Sequence, residues 1–138
     1  NTTYRYDSKG NLASASYAEA GTVSYTYDAA GKLAGIQTSG ETNAAFAYTY
    51  DRAGNILTER RSEDGQSTQT SYEYDALGQI VSWKTSDGHF ETYTYDAAGN
   101  LTGKESDRGH VSMEYDAANR LVCMSDGEEE IRYTYDAD

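Results

Sequence analysis

The sequence of 138 residues contains no proline and one cysteine, Cys123. The lack of proline suits many uninterrupted strands and argues against a proline-rich linker. A single cysteine excludes an internal disulfide and a cluster of thiolate metal ligands. No apolar run reaches the ~18 residues that a membrane-spanning helix needs, so we expect no membrane insertion.

Basic residues are also scarce, with 11 Lys and Arg against 23 Asp and Glu, which gives a net charge of −12. Nucleic acids and anionic membranes bind basic patches, so we expect neither as the main partner.

Phe and Trp occur only 2 and 1 times, whereas Tyr occurs 14 times. Because tyrosine suits the half-buried surface of a pleated sheet, the composition favours β-structure.

A nine-residue motif recurs along the chain. It reads YTYDAAGKL from Tyr25 and YTYDAAGNL from Tyr93, with variants from Tyr4, Tyr48, Tyr72 and Met113 and a shorter copy at the end of the chain. Tandem copies predict one repeat domain over residues 1–138. Because the pattern reaches both ends of the sequence, we expect a piece of a longer array. The second aromatic of each copy is called here the repeat tyrosine: Tyr6, Tyr27, Tyr50, Tyr74, Tyr95, Tyr115 and Tyr135.

Each motif predicts a β-hairpin. The Y-x-Y part alternates as a strand does, and D-x-x-G is typical of a type I turn whose glycine has positive φ. The turn aspartates are Asp7, Asp28, Asp51, Asp75, Asp96 and Asp116. The turn glycines are Gly10, Gly31, Gly54, Gly78 and Gly99. Asp-Gly pairs at residues 64–65, 87–88 and 126–127 predict two-residue turns at the opposite ends of the hairpins.

The predicted fold is therefore all-β, an antiparallel hairpin meander of about thirteen strands. Pairing Asp28 with Lys32 places Tyr27 opposite Leu33 and Tyr25 opposite Gly35. The same register pairs the following residues: Tyr50 with Ile56, Tyr74 with Ile80, Tyr95 with Leu101, Tyr115 with Leu121, Tyr93 with Gly103 and Met113 with Cys123.

One face of the predicted sheet carries the Tyr, Leu and Ile positions, and the other carries mostly Thr, Ala, Ser and Glu. Simple alternation places Cys123 on the tyrosine face as a small core residue, and Val81 and Trp83 on the opposite face. So wide an apolar face needs a cover. Either the sheet curls onto itself or other parts of the parent protein cover it.

The turn aspartates have two interpretations, either a column of catalytic or metal-binding carboxylates or acceptors within their own turns. The offset of each aspartate from its glycine favours the turn. The acidic run from Ser125 is interpreted as solvated charge. His89 and His110 lack a third zinc ligand, and no Ser-His-Asp or Cys-His arrangement supports a nucleophile. We therefore expect no enzyme activity, no cofactor and no metal.

The motif Y-x-Y-D-x-x-G-x-L, repeated every 20 to 24 residues, resembles the YD repeat of the Rhs family. That family includes Rhs toxins, insecticidal toxin complexes and wall-associated proteins, and its repeats are similar to the YD shell of teneurins. The resemblance implies a continuous sheet that spirals into a hollow shell, of which this chain is a curved section. In the toxins the shell encloses a toxin polypeptide, and the tyrosines are structural.

The sequence departs from the full family pattern. It lacks the Arg-Pro and Asp-Pro-x-Gly-Leu signatures of the Rhs core, so the self-cleaving aspartates of that core have no counterpart here. The resemblance implies a secreted or cell-surface bacterial protein.

Two functional hypotheses follow. The first is a structural shell or scaffold section whose partner is the rest of the parent polypeptide or an enclosed cargo. The alternative is an adhesive or carbohydrate-binding module in which tyrosines contact glycans. In either case the first and last predicted strands have unprotected edges, which favours edge-to-edge self-association.

Overall fold

A computed structural model describes residues 1–40 and 43–136. Within these ranges the chain forms thirteen antiparallel strands, which confirms the predicted all-β hairpin meander. The strands are β1 Thr2–Tyr6, β2 Leu12–Tyr17, β3 Gly21–Tyr27, β4 Leu33–Ser39, β5 Ala44–Tyr50, β6 Ile56–Glu63, β7 Gln66–Tyr74, β8 Ile80–Thr85, β9 Phe90–Tyr95, β10 Leu101–Ser106, β11 Gly109–Tyr115, β12 Leu121–Ser125 and β13 Glu130–Arg132.

The strands follow one another in chain order in the sheet, from β1 to β13, without a crossover. The chain divides into two compact units, Asn1–Ser71 and Tyr72–Asp138. The first contains β1 to β6 and most of β7, and the second contains the end of β7 and β8 to β13. No helix in the described residues is long and apolar enough to cross a membrane.

The D-x-x-G turns have the predicted form. In the second repeat the backbone N–H of Asp28 donates to the carbonyl of Lys32 at 2.8 Å, and the N–H of Gly31 donates to the carbonyl of Asp28 at 3.0 Å. These two bonds close a three-residue hairpin loop. All five turn glycines have positive φ, and Asn119, with φ of 60°, takes the same position in the sixth repeat. This confirms the prediction of left-handed backbone at the end of the loop.

A β-bulge follows five of the D-x-x-G turns and changes the pairing beyond it; these turns join β1 to β2, β3 to β4, β5 to β6, β9 to β10 and β11 to β12. Tyr27 pairs with Leu33 as predicted, but the register then shifts, so that Thr26 pairs with Gly35 and Tyr25 with Ile36. The predicted Tyr25–Gly35 pair is therefore wrong, because Ala34 is an extra residue in β4. The pairs predicted for three further repeat tyrosines are confirmed: Tyr50 with Ile56, Tyr95 with Leu101 and Tyr115 with Leu121.

Bulges at the equivalent positions of the second unit make two other predicted pairs wrong. Gly103 lies opposite Thr94, not Tyr93. Met113 lies opposite Met124, and Cys123 lies opposite Glu114. The pairing of Tyr74 with Ile80 stays a prediction.

The turns at the other end of the hairpins vary. Asp64 and Gly65, with φ of 48° and 80°, form the predicted two-residue turn between β6 and β7. At residues 86–88 the N–H of Thr85 donates to the carbonyl of His89, so a three-residue loop replaces the predicted two-residue turn. Between β12 and β13 the N–H of Asp126 donates to the carbonyl of Glu129. Gly127 and Glu128 therefore form that turn, one residue later than predicted.

The bulge also decides which face each side chain joins, because directly paired residues share a face. Trp83 pairs with Glu91, which alternates in phase with Tyr93 and Tyr95, so Trp83 lies on the tyrosine face. The predicted placement of Trp83 on the opposite face is wrong. Thr26, Thr49, Thr94 and Glu114 are exposed on the polar face, as predicted.

Few side chains of this sheet are buried. Among the described residues only Ala15 and Cys123 are buried hydrophobic residues, at 2% and 5% exposure, and no large side chain is fully buried. The rings of the repeat tyrosines between the ends are half-buried, whereas Tyr6 is 64% exposed.

Candidate functional site

The turn aspartates accept hydrogen bonds from their own loops. In the third repeat, Oδ1 of Asp51 accepts the backbone N–H of Asn55 at 2.9 Å and Oδ2 accepts Nδ2 of Asn55 at 3.0 Å. These bonds lower the pKa of the Asp51 carboxyl, and the bond from the Asn55 side chain has the largest effect. The bond from the backbone N–H four residues later recurs at the other turn aspartates: Asp7, Asp28, Asp75, Asp96 and Asp116.

The repeat tyrosines link each hairpin to the one before it. The hydroxyl of Tyr50 donates to the backbone carbonyl of Leu33 at 2.6 Å. For Tyr27, Tyr50, Tyr95, Tyr115 and Tyr135 the acceptor is the aliphatic residue that ends the D-x-x-G-x-L, D-x-x-G-x-I or D-x-x-N-x-L motif of the preceding repeat. At distances between 2.7 and 3.0 Å, four further bonds of this kind join Tyr27 to Leu12, Tyr95 to Ile80, Tyr115 to Leu101 and Tyr135 to Leu121.

The backbone ladder explains why this carbonyl needs a side-chain donor. Pairing between β4 and β5 runs from Gln37–Ala45 to Gly35–Ala47 and stops there, two residues short of Leu33. The Leu33 carbonyl would otherwise lack a donor in a partly buried position, which costs free energy. The tyrosine hydroxyl therefore replaces the missing backbone N–H.

Sequence reasoning found these tyrosines but not their acceptors. It predicted that the repeat tyrosines pair with Leu and Ile, but it named no partner for their hydroxyls. The available signal was the use of Tyr rather than Phe at all seven positions, since packing alone does not require a hydroxyl.

In several repeats the residue after the left-handed position of the turn contacts the next repeat. Nζ of Lys32 lies 5.2 Å from the ring centroid of Tyr50, and the guanidinium carbon of Arg120 lies 4.6 Å from that of Tyr135. Such cation–π contacts favour the packing of successive repeats. In the second unit, Nε2 of Gln79 donates to the carbonyl of Gly99 at 3.4 Å.

A polar network on the tyrosine face of the second unit centres on Glu91. Its Oε2 accepts Nε1 of Trp83 at 3.3 Å and the hydroxyl of Tyr93, and its Oε1 lies 2.8 Å from Nζ of Lys104. Lys104, and then Tyr93, lower the pKa of the Glu91 carboxyl. Partial burial, and then Glu91, raise the pKa of the Tyr93 hydroxyl. Glu91 is thus an ionised acceptor with three donors, and none of these groups is a prepared nucleophile.

The histidines lie where the sequence placed them, beside turns. Nδ1 of His89 lies 2.8 Å from Oδ2 of Asp107, and this hydrogen bond raises the pKa of the imidazole. The pair connects the loop before β9 with the turn before β11. Within residues 1–40 and 43–136, no group of three or more His, Cys, Asp or Glu side chains is arranged to hold a metal ion.

Cys123 is buried, but on the other face from the one predicted. It pairs with Glu114 on one side and Arg132 on the other, whereas the tyrosine face is continued by Leu121 and Met124. The bulge at Val122 moves Cys123 out of phase with Leu121, so the prediction from simple alternation was wrong.

Antiparallel hairpins that each contain the same turn aspartate and are joined by a repeated tyrosine define a β-hairpin repeat protein. The family model described as Teneurin YD-shell matches residues 39–138, and the model described as RHS Repeat matches residues 6–44. The chain therefore belongs to the YD-shell and RHS-repeat family, as its motif implied.

Two curated relatives match nearly the whole chain. The tRNA3(Ser)-specific nuclease WapA of Bacillus spizizenii is 34% identical over 134 residues, which cover 96% of this chain and 5% of that protein. Toxin protein Tse5 of Pseudomonas aeruginosa is 31% identical over 159 residues, which cover 97% of this chain and 12% of that protein. The chain thus spans a small part of the length of either relative.

The fold also matches solved structures. A structure of the Photorhabdus luminescens Tc holotoxin pore superimposes with a TM-score of 0.72 over 89% of this chain and 7% of that chain. The identity is 23%, so this likeness concerns the fold alone.

Proposed function

We propose that this chain is a structural wall or scaffold section of a large secreted or surface-delivered bacterial YD-repeat protein, where it contains or displays other polypeptide without catalysing a reaction. The observation that carries the proposal is the use of the repeated polar groups. The tyrosine hydroxyls bind backbone carbonyls of the preceding repeat, and the aspartate carboxylates bind backbone N–H groups of their own turns.

The small number of buried side chains supports a polypeptide partner that covers the tyrosine face. Because no large side chain is fully buried in the described residues, the half-buried tyrosine face would gain further burial by contact with other polypeptide. The rest of the parent chain or an enclosed cargo would supply that contact.

The test uses the full natural polypeptide that carries this chain. Replacing Tyr50, Tyr95 and Tyr115 together by Phe removes three inter-repeat bonds and leaves the rings. A wall section predicts faster proteolysis of the polypeptide that it covers, with unchanged activity of any catalytic part once that part is released. Loss of activity in the released part, with an unchanged proteolysis pattern, would contradict the proposal.

A second candidate function is glycan binding, and one observation favours it. Tyr4, Tyr6 and Tyr17 share the tyrosine face of β1 and β2 and are 55%, 64% and 42% exposed. Exposed aromatic rings are suitable platforms for sugar rings. A glycan array compares the wild-type chain with the Tyr4→Ala/Tyr6→Ala variant. Specific binding that this variant loses supports the adhesive role, and a blank array for the folded wild-type chain contradicts it.

A further inference from the structure

The negative charge of the chain is concentrated in the second unit. Residues 1–71 contain eight acidic and six basic residues, a net charge of −2, whereas residues 72–138 contain fifteen acidic and five basic residues, a net charge of −10. A shell role alone requires no such difference, because the two units contain the same kind of hairpin. The second unit therefore has an electrostatic preference for cations that the first unit largely lacks.

An exposed groove lies at the most acidic end of this unit. Its floor is formed by Val111, Met124 and Ile131 on the tyrosine face of β11, β12 and β13. Asp126 and Glu129 from the β12–β13 turn line the same groove. Ile131 is 46% exposed, so the floor is open to a partner.

The carboxylates at the rim are not neutralised by the chain. Oδ1 of Asp126 accepts the backbone N–H groups of Glu128 and Glu129, which holds the turn in place. Among the described residues, Glu130 forms an ion pair with Arg132, but Glu128 and Glu129 form none. The basic residues Lys104 and Arg108 line an adjoining depression, where Lys104 is already paired with Glu91.

We propose that this groove, called here the C-terminal groove (Val111, Met124, Ile131, Asp126 and Glu129), binds an extended basic polypeptide segment, with Glu128 of the same turn lining the adjoining depression beside it. An aliphatic side chain of the segment packs on Val111, Met124 and Ile131, and a lysine or arginine two residues away pairs with Glu128 or Glu129. Alternate residues of an extended segment point to one side, so the pattern aliphatic-x-basic presents both groups together. This inference goes beyond the scaffold role, since it assigns a binding site and the chemistry of its ligand.

The test uses the 138-residue chain and the fluorescein-labelled, amidated octapeptide Ser-Val-Ser-Lys-Ser-Val-Ser-Lys, with binding followed by fluorescence anisotropy. Two control peptides replace both valines by serine or both lysines by glutamate. We expect the first peptide to bind more tightly than either control, with weaker binding at high salt because the ion pairs are exposed. Equal binding of the serine control would reduce the effect to general charge attraction and overturn the proposal.

Variants of the chain locate the site. Glu128→Gln/Glu129→Gln should weaken binding about fivefold or more, since exposed ion pairs are individually modest. Glu19→Gln/Glu105→Gln removes the same charge at exposed positions outside the groove and should leave binding nearly unchanged. Ile131→Ser should weaken binding with little change in the salt dependence. Equal losses in the two double variants, or no binding of the first peptide at millimolar concentration, would refute the C-terminal groove as a binding site.

Discussion

The hydroxyl of Tyr50 donates to the backbone carbonyl of Leu33 across 2.6 Å, and this bond joins two successive repeats. It forms where the backbone ladder between β4 and β5 has already ended. One side-chain atom in each of five repeats therefore completes the hydrogen bonding between neighbouring hairpins at the D-x-x-G end. This explains why the motif needs tyrosine, since phenylalanine would pack but not donate.

The first prediction concerns this hydroxyl. Tyr50→Phe should lower the free energy of unfolding by about 0.5–1.5 kcal/mol, the usual net contribution of one hydrogen bond. Tyr6→Phe is the matched control, because Tyr6 is 64% exposed and β1 has no preceding strand in the sheet order. Urea denaturation of both variants measures the difference. Equal stability of the two variants would contradict the role of the Tyr50 bond.

The second prediction concerns the turn glycines. Gly54 has φ of +95°, a conformation that side chains with a branched Cβ rarely adopt. Gly54→Val should therefore destabilise the chain by about 1 kcal/mol or more. Gly54→Asn should cost less, since Asn119 adopts φ of 60° at the same position of the sixth repeat. Thermal unfolding ranks the variants, and a neutral Gly54→Val would contradict the turn.

The third prediction concerns the turn aspartates, which we propose are structural. Asp51→Asn should fold and keep most of its stability, because an asparagine oxygen accepts the same backbone N–H of Asn55. Asp51→Ala loses the acceptor and should have a lower denaturation midpoint. Addition of calcium or of a chelator should leave the melting temperature of the wild-type chain nearly unchanged. A calcium-dependent rise of many degrees would mean that the carboxylates are metal ligands.

The fourth prediction is a loss of stability in acid. Hydrogen bonds from the loop lower the pKa of Asp7, Asp51, Asp96 and Asp116 below the ordinary value of 3.8. A carboxyl whose pKa is lower in the folded state contributes stability above its unfolded pKa and loses it as the pH falls through the folded pKa. The urea midpoint should therefore fall as the pH drops below about 4. Asp51→Asn/Asp96→Asn should show a shallower fall, and an unchanged slope would contradict the assignment.

The fifth prediction concerns the edge strands of this chain. β1 and β13 lie at the two ends of the strand order, and Tyr4, Ile131 and Tyr135 beside those edges are 55%, 46% and 46% exposed. Unpaired strand edges favour pairing with another chain. We propose that the 138-residue chain self-associates in a concentration-dependent way, as light scattering over a dilution series would show. A strictly monomeric chain in which the edges of β1 and β13 pair with each other would contradict this.

Much of the architecture could be read from the order of residues. The D-x-x-G spacing predicted the three-residue loop and the positive φ of its glycines, since few residues allow that backbone conformation. The distance of a repeat tyrosine from its turn predicted the pair nearest the loop, Tyr50 with Ile56 among others. Both are local relationships within about ten residues, in which turn chemistry decides the outcome.

Other features were decided only by the tertiary structure. An extra residue after a turn, such as Ala34 or Val122, reverses the alternation of the return strand, and this placed Cys123 on the polar face. Pairing with Glu91 of the next strand placed Trp83 on the tyrosine face. Period-two patterns cannot show such a bulge, because the strand on either side still alternates. The partner of each tyrosine hydroxyl lies in the preceding repeat, 17 residues away for Tyr50. That carbonyl becomes an acceptor because the ladder between neighbouring hairpins stops short of it, a consequence of how two hairpins meet rather than of either hairpin's own sequence.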